Sequence, residues 1–289
     1  MAAPAERMVE TARESDPLPW QDPFSEIPRD AEKFQQFMQG IPASRRYVIL
    51  FTPRSSSTRL KAAAEATGQL GNPGEWFNPL FYEMSAGSLS ATSLPDYVDV
   101  LSRARAPGGL FGVELTWRQL DRFFGTVERF REVLAPDEHV SLIRHDVVAQ
   151  AVSVVRLVQT GLSHSVKTTA DEIRRSDDGF AYEEKKICNR IKKLTEDECR
   201  SEAYFQRFGI TPLRLSYEQL SRKTDPEIAR LLADHLGVDL TADKQIVSGH
   251  QKMAGAKSAE FVKRFRAENA EFLADIDRRR APILARYPD

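Results

Sequence analysis

The feature that most constrains the fold is a short apolar segment followed by a hydroxyl-rich loop and a helix. Tyr47–Phe51 is a run of apolar residues that favour strands, and Thr52-Pro53 follows it. Its length and composition predict a buried strand. The alanine-rich segment 58–67 predicts a helix that ends at Gly68. The chain is therefore expected to run from a strand through the polar loop 53–58 into a helix.

Further strand and helix patterns alternate along the rest of the chain. Strands are predicted at Leu110–Leu115, His139–Ile143 and Leu213–Leu215. Helices are predicted near Asp30–Gln39, from an Asp146 cap to about Gln159, over about Ala181–Phe208, from Asp225-Pro226 to Gly237, and over about Ser258–Leu273. Strands that alternate with helices predict an α/β fold with a mainly parallel sheet flanked by helices.

The charge of the chain is balanced overall but unevenly distributed. Lys plus Arg number 41 and Asp plus Glu number 42, which argues against binding of a nucleic-acid backbone. Residues 1–40 carry four basic and eight acidic residues and five of the 16 prolines. We therefore interpret residues 1–44 as an acidic, proline-rich extension. Residues 45–289 are interpreted as a single domain, with a helical insertion at about 170–208 and a helical C-terminus.

Two further patterns concern membranes and cysteines. No apolar run reaches the roughly 20 residues that span a bilayer, and the N-terminus has no apolar signal core. These patterns predict a cytoplasmic protein without a transmembrane segment. Cys188 and Cys199 lie in one predicted helix, about 16 Å apart at the usual helical rise, which is too far for a disulfide within it. Reduced thiols and no cysteine metal site are expected.

The polar loop 53–58 has the composition of an anion site. Ligands of parallel α/β sheets bind at the carboxyl ends of strands, where helix N-termini present unpaired N–H groups. Arg54, three serine hydroxyls and Thr58 suit a phosphate or sulfate group there. A Walker A motif is absent, which disfavours a nucleoside-triphosphate kinase. The alternative is that the serines only cap the helix.

Five segments in a fixed order extend this interpretation: YVILFTPRSSSTRL, GNPGEWFNP, GVELTWRQL, LIRHDVVAQAVSVVRLVQTG and GITPLRLSYEQL. Over about residues 45–275, the chain resembles the bacterial sulfotransferases of the trehalose 2-sulfotransferase (Stf0) family. The resemblance implies a P-loop-like parallel sheet. It also implies metal-free, in-line transfer of a sulfuryl group from 3′-phosphoadenosine 5′-phosphosulfate (PAPS) to a hydroxyl of a carbohydrate or glycolipid, and a homodimer.

The resemblance also implies which residues form the site. The 5′-phosphosulfate is expected on the loop, and the residues are Arg54, Ser55, Ser56, Ser57 and Thr58. Arg144 and Ser153 match the positions that hold the 3′-phosphate. Lys252, Lys257 and Ser258 match, more loosely, a late basic motif near the nucleotide.

Glu75 matches the proposed general base of the family, and Arg54 is expected to stabilise the leaving phosphate. The chemistry supports both roles, because sulfuryl transfer depends on positioned cations and on a group that takes the acceptor proton. Three structural alternatives stay open. Glu75 is then a solvated loop acid, Arg144 a surface ion pair, and Ser153 a helix serine bonded to a carbonyl.

Acceptor contacts are expected from residues near these loops. The aromatic rings of Trp76, Phe77 and Trp117 suit apolar sugar faces, although core or lid positions explain them equally. Two residues depart from the family pattern, because Ser56 replaces a glycine and Glu114 replaces a common lysine. Glu114 is also expected to contact the acceptor, and the two departures motivate the alternative of a non-catalytic nucleotide- or glycan-binding protein. A second alternative is another phosphoryl or nucleotide transferase on the same scaffold, which the missing Walker lysine disfavours.

Overall fold

A computed structural model of the chain describes residues 23–24, 26–161, 179–241 and 255–288. In these ranges the strands form one sheet in the order β2-β1-β3-β4. They are β1 (Arg45–Phe51), β2 (Leu110–Leu115), β3 (Glu138–Ile143) and β4 (Leu213–Ser216). Each strand runs parallel to its neighbours, which confirms the predicted α/β architecture.

Helices connect the strands and cover both faces of the sheet. The α-helices of the described ranges are α1 (Ala31–Met38), α2 (Ser57–Thr67), α3 (Tyr82–Ser88), α4 (Leu94–Ala104), α5 (Trp117–Phe123), α6 (Val127–Val133), α7 (Val147–Thr160), α8 (Glu184–Phe208), α9 (Tyr217–Arg222), α10 (Asp225–Leu236), α11 (Ala256–Glu268) and α12 (Ala270–Leu284).

Strand β1 lies inside the sheet and divides the core into two layers. Val48 and Leu50 pack with residues of α4 and α5, while Tyr47 and Ile49 pack with residues of α2 and α10. Alternate residues of a strand face opposite sides, so both faces of an interior strand must be apolar. This requirement explains the continuous apolar run by which the strand was predicted. It also fixes the carboxyl end of β1, and with it the loop 53–58.

Several predicted boundaries are confirmed by the structure. Asp146 caps α7, and its carboxylate accepts a hydrogen bond from the N–H of Ala149 at 2.9 Å. Gly68 and Gly237 end α2 and α10 in the left-handed conformation, which favours glycine.

Cys188 and Cys199 both lie in α8 and are free thiols. None of the described helices combines the length and apolar character needed to cross a bilayer.

Two predicted boundaries were wrong. Thr224, and not Asp225, caps α10, because Thr224 and Glu227 form a reciprocal capping box. The last helix is two helices that meet at Asn269, whose φ of −128° and ψ of 37° are not helical. The second of them continues to Leu284, beyond the predicted end at Leu273.

Part of the N-terminal extension belongs to the core. Phe24 is fully buried against Tyr97 and Phe123, and Phe34 of α1 is also buried in this layer. Helix α1 packs against α4. The domain boundary at residue 44 stays a prediction, but the described residues before it contribute apolar side chains to the same core as α4 and α5.

A buried ion pair joins α8 to α12 and holds both against the turn that follows β3. Arg280 of α12 donates two hydrogen bonds to Glu198 of α8, at 2.7 and 2.9 Å, and both side chains are at most 1% exposed. Arg280 also donates to the carbonyls of Arg144 and His145, at 2.7 and 2.8 Å. The pair therefore fixes the backbone that follows β3.

We expect Arg280→Met to lower the free energy of unfolding by about 3–5 kcal/mol, because it leaves the Glu198 carboxylate buried without its partner. Urea unfolding measures the change. Arg278→Met is the matched control, since Arg278 pairs with Asp275 at the exposed surface, where a pair contributes at most about 1 kcal/mol. Equal losses in the two variants would contradict the structural importance of the buried pair.

Candidate active site

The loop between β1 and α2 has an unusual backbone. Arg54 and Ser56 both adopt left-handed conformations, with φ of 67° and 76°. Non-glycine residues avoid this region, so the surrounding structure must hold them in it. Such turns point successive backbone N–H groups toward one concave site. The loop therefore has the backbone of an anion cradle, and Ser56 is strained where the family pattern has glycine.

The serine side chains of the loop have different roles. The hydroxyl of Ser55 is buried and donates to the carbonyl of Thr52 at 2.7 Å, so it stabilises the loop from within. The side chain of Ser56 makes no capping hydrogen bond, although Ser56 precedes α2. Ser57 is buried in the first turn and Thr58 is exposed there. N–H groups at the start of a helix lack helical acceptors, and the Ser56 side chain does not cap them here. This arrangement favours an oxyanion site over the alternative in which the serines only cap the helix.

A glutamine of α7 binds the start of this loop through two hydrogen bonds and so clamps the loop to α7. The amide nitrogen of Gln150 donates to the hydroxyl of Thr52 at 2.9 Å and to the carbonyl of Pro53 at 2.8 Å. Gln150 is fully buried, so these bonds form in a medium of low polarity. The clamp fixes the chain immediately before the strained Arg54.

Three arginines converge beside the loop. The Nε of Arg54 donates to the hydroxyl of Ser153 at 3.0 Å, which joins the two residues that were assigned to different phosphates. Burial, and then repulsion from Arg144 and Arg156, lower the pKa of Arg54 to about 10. Tyr217 opposes this shift. Neighbouring guanidiniums repel one another, and an anion that binds between them relieves this repulsion and is bound more strongly for that reason.

Arg144 is held but incompletely hydrogen-bonded. Its guanidinium lies 4.1 Å from the centre of the Tyr217 ring, and its Nε is buried without a hydrogen-bond partner in the described residues. The backbone N–H groups of His145 and Asp146 donate to Glu218 at 3.0 and 3.3 Å. With the Arg280 contacts to the same turn, these bonds position Arg144 from both sides. This setting does not match the alternative of a surface ion pair.

The sequence analysis singled out neither Gln150 nor Arg156. Both belong to α7, which is apolar nearly all round, so no polar face was evident. Gln150, Ser153 and Arg156 are spaced by three residues, which places them along one side of the helix. That spacing was the signal available in the sequence.

Glu75 lies in a loop that runs beside β2. Gly74 forms a parallel bridge with Val113, and its carbonyl accepts from the N–H of Glu114 at 2.9 Å. One carboxylate oxygen of Glu75 accepts hydrogen bonds from the amides of Asn78 and Gln119, at 3.1 and 3.2 Å. Glu75 is therefore a partly buried, oriented carboxylate and not a freely solvated loop acid.

The predicted aromatic residues occupy three different settings. Phe77 is fully buried among Tyr97 and other rings of the core. Trp117 is buried as well, and its indole N–H donates to Ser201 at 2.8 Å. Trp76 is only partly buried and contacts the Arg105 guanidinium, 5.4 Å from its ring centre. The structure thus places Phe77 and Trp117 in the core, and leaves Trp76 beside Glu75.

The remaining predicted residues lie on other elements. Glu114 is buried on β2, next to the Glu75 loop. Lys257 and Ser258 begin α11, whose Phe261 packs in the same apolar cluster as Val152 of α7. The predicted nucleotide contact of Lys252 lies outside the described residues. In the part of the chain that the structure describes, no group of three or more His, Cys, Asp or Glu side chains could hold a metal ion.

Comparison with known proteins now identifies the family. Residues 46–268 match the family model described as Stf0 sulphotransferase. The chain belongs to the Stf0 sulfotransferase family. It is 30% identical to a trehalose 2-sulfotransferase of Mycobacterium tuberculosis, in a match that covers 78% of this chain and 96% of that protein. A trehalose 2-sulfotransferase of Mycolicibacterium smegmatis is 27% identical, over 77% of this chain and 94% of that protein.

Membership confirms the predicted enzyme class, because the Stf0 family consists of sulfotransferases. The matched range includes β1 to β4, the loop 53–58, Glu75 and α7. The site described above is therefore part of the Stf0 domain itself and not of the N-terminal extension.

We expect Ser56→Gly to stabilise the unliganded protein. Relief of the left-handed serine contributes about 1–2 kcal/mol, and the greater unfolded-state entropy of glycine offsets about 0.4–1 kcal/mol of it. Urea unfolding should show a net gain between zero and about 1.6 kcal/mol. Ala135→Gly is the matched control, because Ala135 is exposed and has a φ of 45°. A loss of stability confined to Ser56→Gly would show that its side chain makes contacts that outweigh the strain.

Proposed function

We propose that this Stf0 sulfotransferase takes its sulfuryl group from PAPS and transfers it to a carbohydrate hydroxyl, with trehalose as the first acceptor to test. The observation that carries the proposal is the convergence of Arg54, Arg144 and Arg156 beside a left-handed loop. An anion with more than one negative charge would relieve the repulsion among these three guanidiniums. The names of the mycobacterial relatives support trehalose as the acceptor.

The loop 54–58 receives the 5′-phosphosulfate in this proposal. Its positive φ residues and the first turn of α2 present backbone N–H groups, and Arg54 adds a fixed positive charge. The hydroxyl of Ser55 supports the loop through Thr52, so Ser55 binds the anion through its backbone N–H, whereas Ser57 and Thr58 lie in the first helical turn. Arg54 stabilises the negative charge that develops on the phosphate as the sulfur–oxygen bond breaks.

Arg144 and Ser153 receive the 3′-phosphate. The guanidinium of Arg144 is held over the Tyr217 ring, and its positive charge suits a phosphate group. Ser153 shares its hydroxyl with Arg54, so the two phosphate positions are coupled through one hydrogen bond. Arg156 adds positive potential from the same side of α7. Lys252, Lys257 and Ser258 stay predicted contacts of the nucleotide.

Glu75 acts as the general base. PAPS, when bound, supplies a sulfuryl group on a phosphate leaving group, and the acceptor oxygen displaces that phosphate in line. Glu75 takes the proton of the acceptor hydroxyl. The amides of Asn78 and Gln119 bind one oxygen of the carboxylate and fix its orientation. The other oxygen then accepts the proton of the acceptor hydroxyl. Trp76, the partly exposed ring next to Glu75, is the proposed sugar contact. A cytoplasmic location and a homodimer also stay predictions.

The donor assignment predicts selectivity for a 3′-phosphate. We expect 3′-phosphoadenosine 5′-phosphate (PAP) to bind at least about tenfold more tightly than 5′-AMP or ATP, because a hydrogen bond to a charged group contributes about 1.5–3 kcal/mol. Isothermal titration calorimetry measures these affinities. Arg144→Met should remove most of the preference. The matched control Arg266→Met removes an exposed arginine that pairs with Asp146, and should retain it. No preference for PAP in the unaltered protein would overturn the donor assignment.

The base assignment predicts separation of binding from turnover. Glu75→Gln should lower turnover with PAPS and trehalose by about 10²–10⁴-fold, because glutamine cannot accept the hydroxyl proton. Its affinity for PAP should change little, and calorimetry with PAP is the control. Turnover that survives Glu75→Gln would remove Glu75 as the base. Binding of PAP without transfer to any saccharide would favour the alternative of a non-catalytic binding protein.

A further inference from the structure

The carboxyl group of Glu114 is buried beneath the candidate site and has no part in the proposed reaction. Its side chain is 2% exposed, and its Oε1 has no hydrogen-bond partner within the described ranges. A buried ionised carboxylate without donors is strongly destabilised, so such a group keeps its proton. Glu114 is thus expected to be neutral where most glutamates are charged.

The backbone brings Glu114 next to the proposed base. Gly74 and Val113 are bridge partners in a parallel arrangement, and the N–H of Glu114 donates to the carbonyl of Gly74. Glu75 and Glu114 are the next residues along these two segments. The two carboxyl groups are therefore neighbours across a short parallel pairing, and the pKa of Glu114 rises through burial and then through repulsion from Glu75.

Hydrogen bonding distinguishes the two members of the pair. One carboxylate oxygen of Glu75 accepts two amide N–H groups, whereas the Oε1 of Glu114 accepts none from the part of the chain that the structure describes. The other charged groups that face Glu114 come from α2, where Lys61 lowers and Glu65 raises its pKa. These two side chains pair with one another at 3.6 Å, so their effects partly cancel. Tyr47 of β1 faces Glu114 as a neutral phenol, since its hydroxyl donates to the carbonyl of Leu70 and its pKa is raised by burial.

We propose that Glu75 and Glu114 form a carboxyl pair that holds one proton at neutral pH and that this proton resides on the buried Glu114, so that the site carries one carboxylate charge and not two. The proposal rests on the function proposed above for Glu75. In this proposal Glu114 acts through its neighbour Glu75 and is a positioning residue, and not the acceptor contact that the sequence predicts. If Glu114 were charged, its field would favour protonation of Glu75 and would repel an anionic donor.

The proton balance of one turnover follows from this pair. As the acceptor oxygen bonds to sulfur, the bond between sulfur and the donor phosphate oxygen breaks and PAP leaves, while the acceptor O–H bond breaks and its proton passes to Glu75. The pair then carries two protons and no charge. Glu75 returns its proton to solvent after the products leave, while Glu114 retains its own. The pair needs no second base and no metal ion for this cycle.

The test is the pH dependence of stability, which requires no acceptor. Folding raises the pKa of Glu114, so the folded state binds more protons and stability falls as pH rises above the ordinary glutamate value, about 4.3. Relative to Glu114→Gln, the unfolding constant of the unaltered protein should rise about tenfold per pH unit from about pH 5 toward the folded-state pKa. Urea unfolding at several pH values measures this ratio.

Two further variants sharpen the result. Glu65→Gln, which removes a partly exposed acid on the neighbouring helix, is the matched control and should not abolish the pH dependence. Glu75→Gln should end the dependence at lower pH, because it removes the repulsion that helps to hold the proton on Glu114. If Glu114→Gln does not fold, Glu114→Leu serves in its place.

Parallel pH profiles of the unaltered protein and Glu114→Gln would overturn the pair. A dependence that Glu75→Gln leaves unchanged would also overturn it, since the two groups would then titrate independently. Turnover tests the role separately: the acid limb of kcat/KM for PAPS and trehalose should be the same in Glu114→Gln, because its neutral amide replaces a neutral acid. A shift of that limb to lower pH would show that Glu114 is charged. Failure of the base assignment alone would appear as turnover that survives Glu75→Gln.

Discussion

Like-charge repulsion around Arg54 is the constraint on which the rest of the site depends. Burial lowers the pKa of Arg54 most, and repulsion from Arg144 and then from Arg156 lowers it further. The fold sustains this unfavourable arrangement through hydrogen bonds made elsewhere. Gln150 clamps the chain before Arg54, while Glu218 and the buried Arg280–Glu198 pair hold the turn that carries Arg144. Electrostatic preorganisation of this kind is what transfer of a charged group requires, because the cations need not move as charge develops.

The acceptor side of the site uses the opposite arrangement. Here two carboxyl groups are neighbours, and burial, followed by repulsion from Glu75, raises the pKa of Glu114. The amide of Gln119 reaches Glu75 from the helix that follows β2, while Glu114 lies within β2 itself. One sheet edge thus joins a group of positive charges after β1 to an oriented base beside β2. Under the proposed function, this combination lets a chain of almost zero net charge bind a small, highly charged donor.

The sequence predicted those features that depend on local pattern. Strands β2 to β4 were placed within one residue and β1 within two, because buried apolar runs leave little choice of register. Arg54, Arg144 and Glu75 followed from the family resemblance. The left-handed Arg54, the Gln150 clamp and the pairing of Glu75 with Glu114 depend on tertiary contacts between distant segments, which no local pattern records. The break at Asn269 escaped for the same reason, since charged residues continue on both sides of it.

The central claim is that the arginines are held together for an anion and not for stability, and urea unfolding of Arg144→Met with and without PAP tests it most directly. Without ligand, the account predicts that Arg144→Met is at least as stable as the unaltered protein, because repulsion of Arg54 and a buried unmet donor are both removed. At a PAP concentration 100 times the dissociation constant, the unaltered protein should gain about 2.7 kcal/mol. Arg144→Met at the same PAP concentration should gain much less. A less stable unliganded variant that keeps the full gain from PAP would contradict the account.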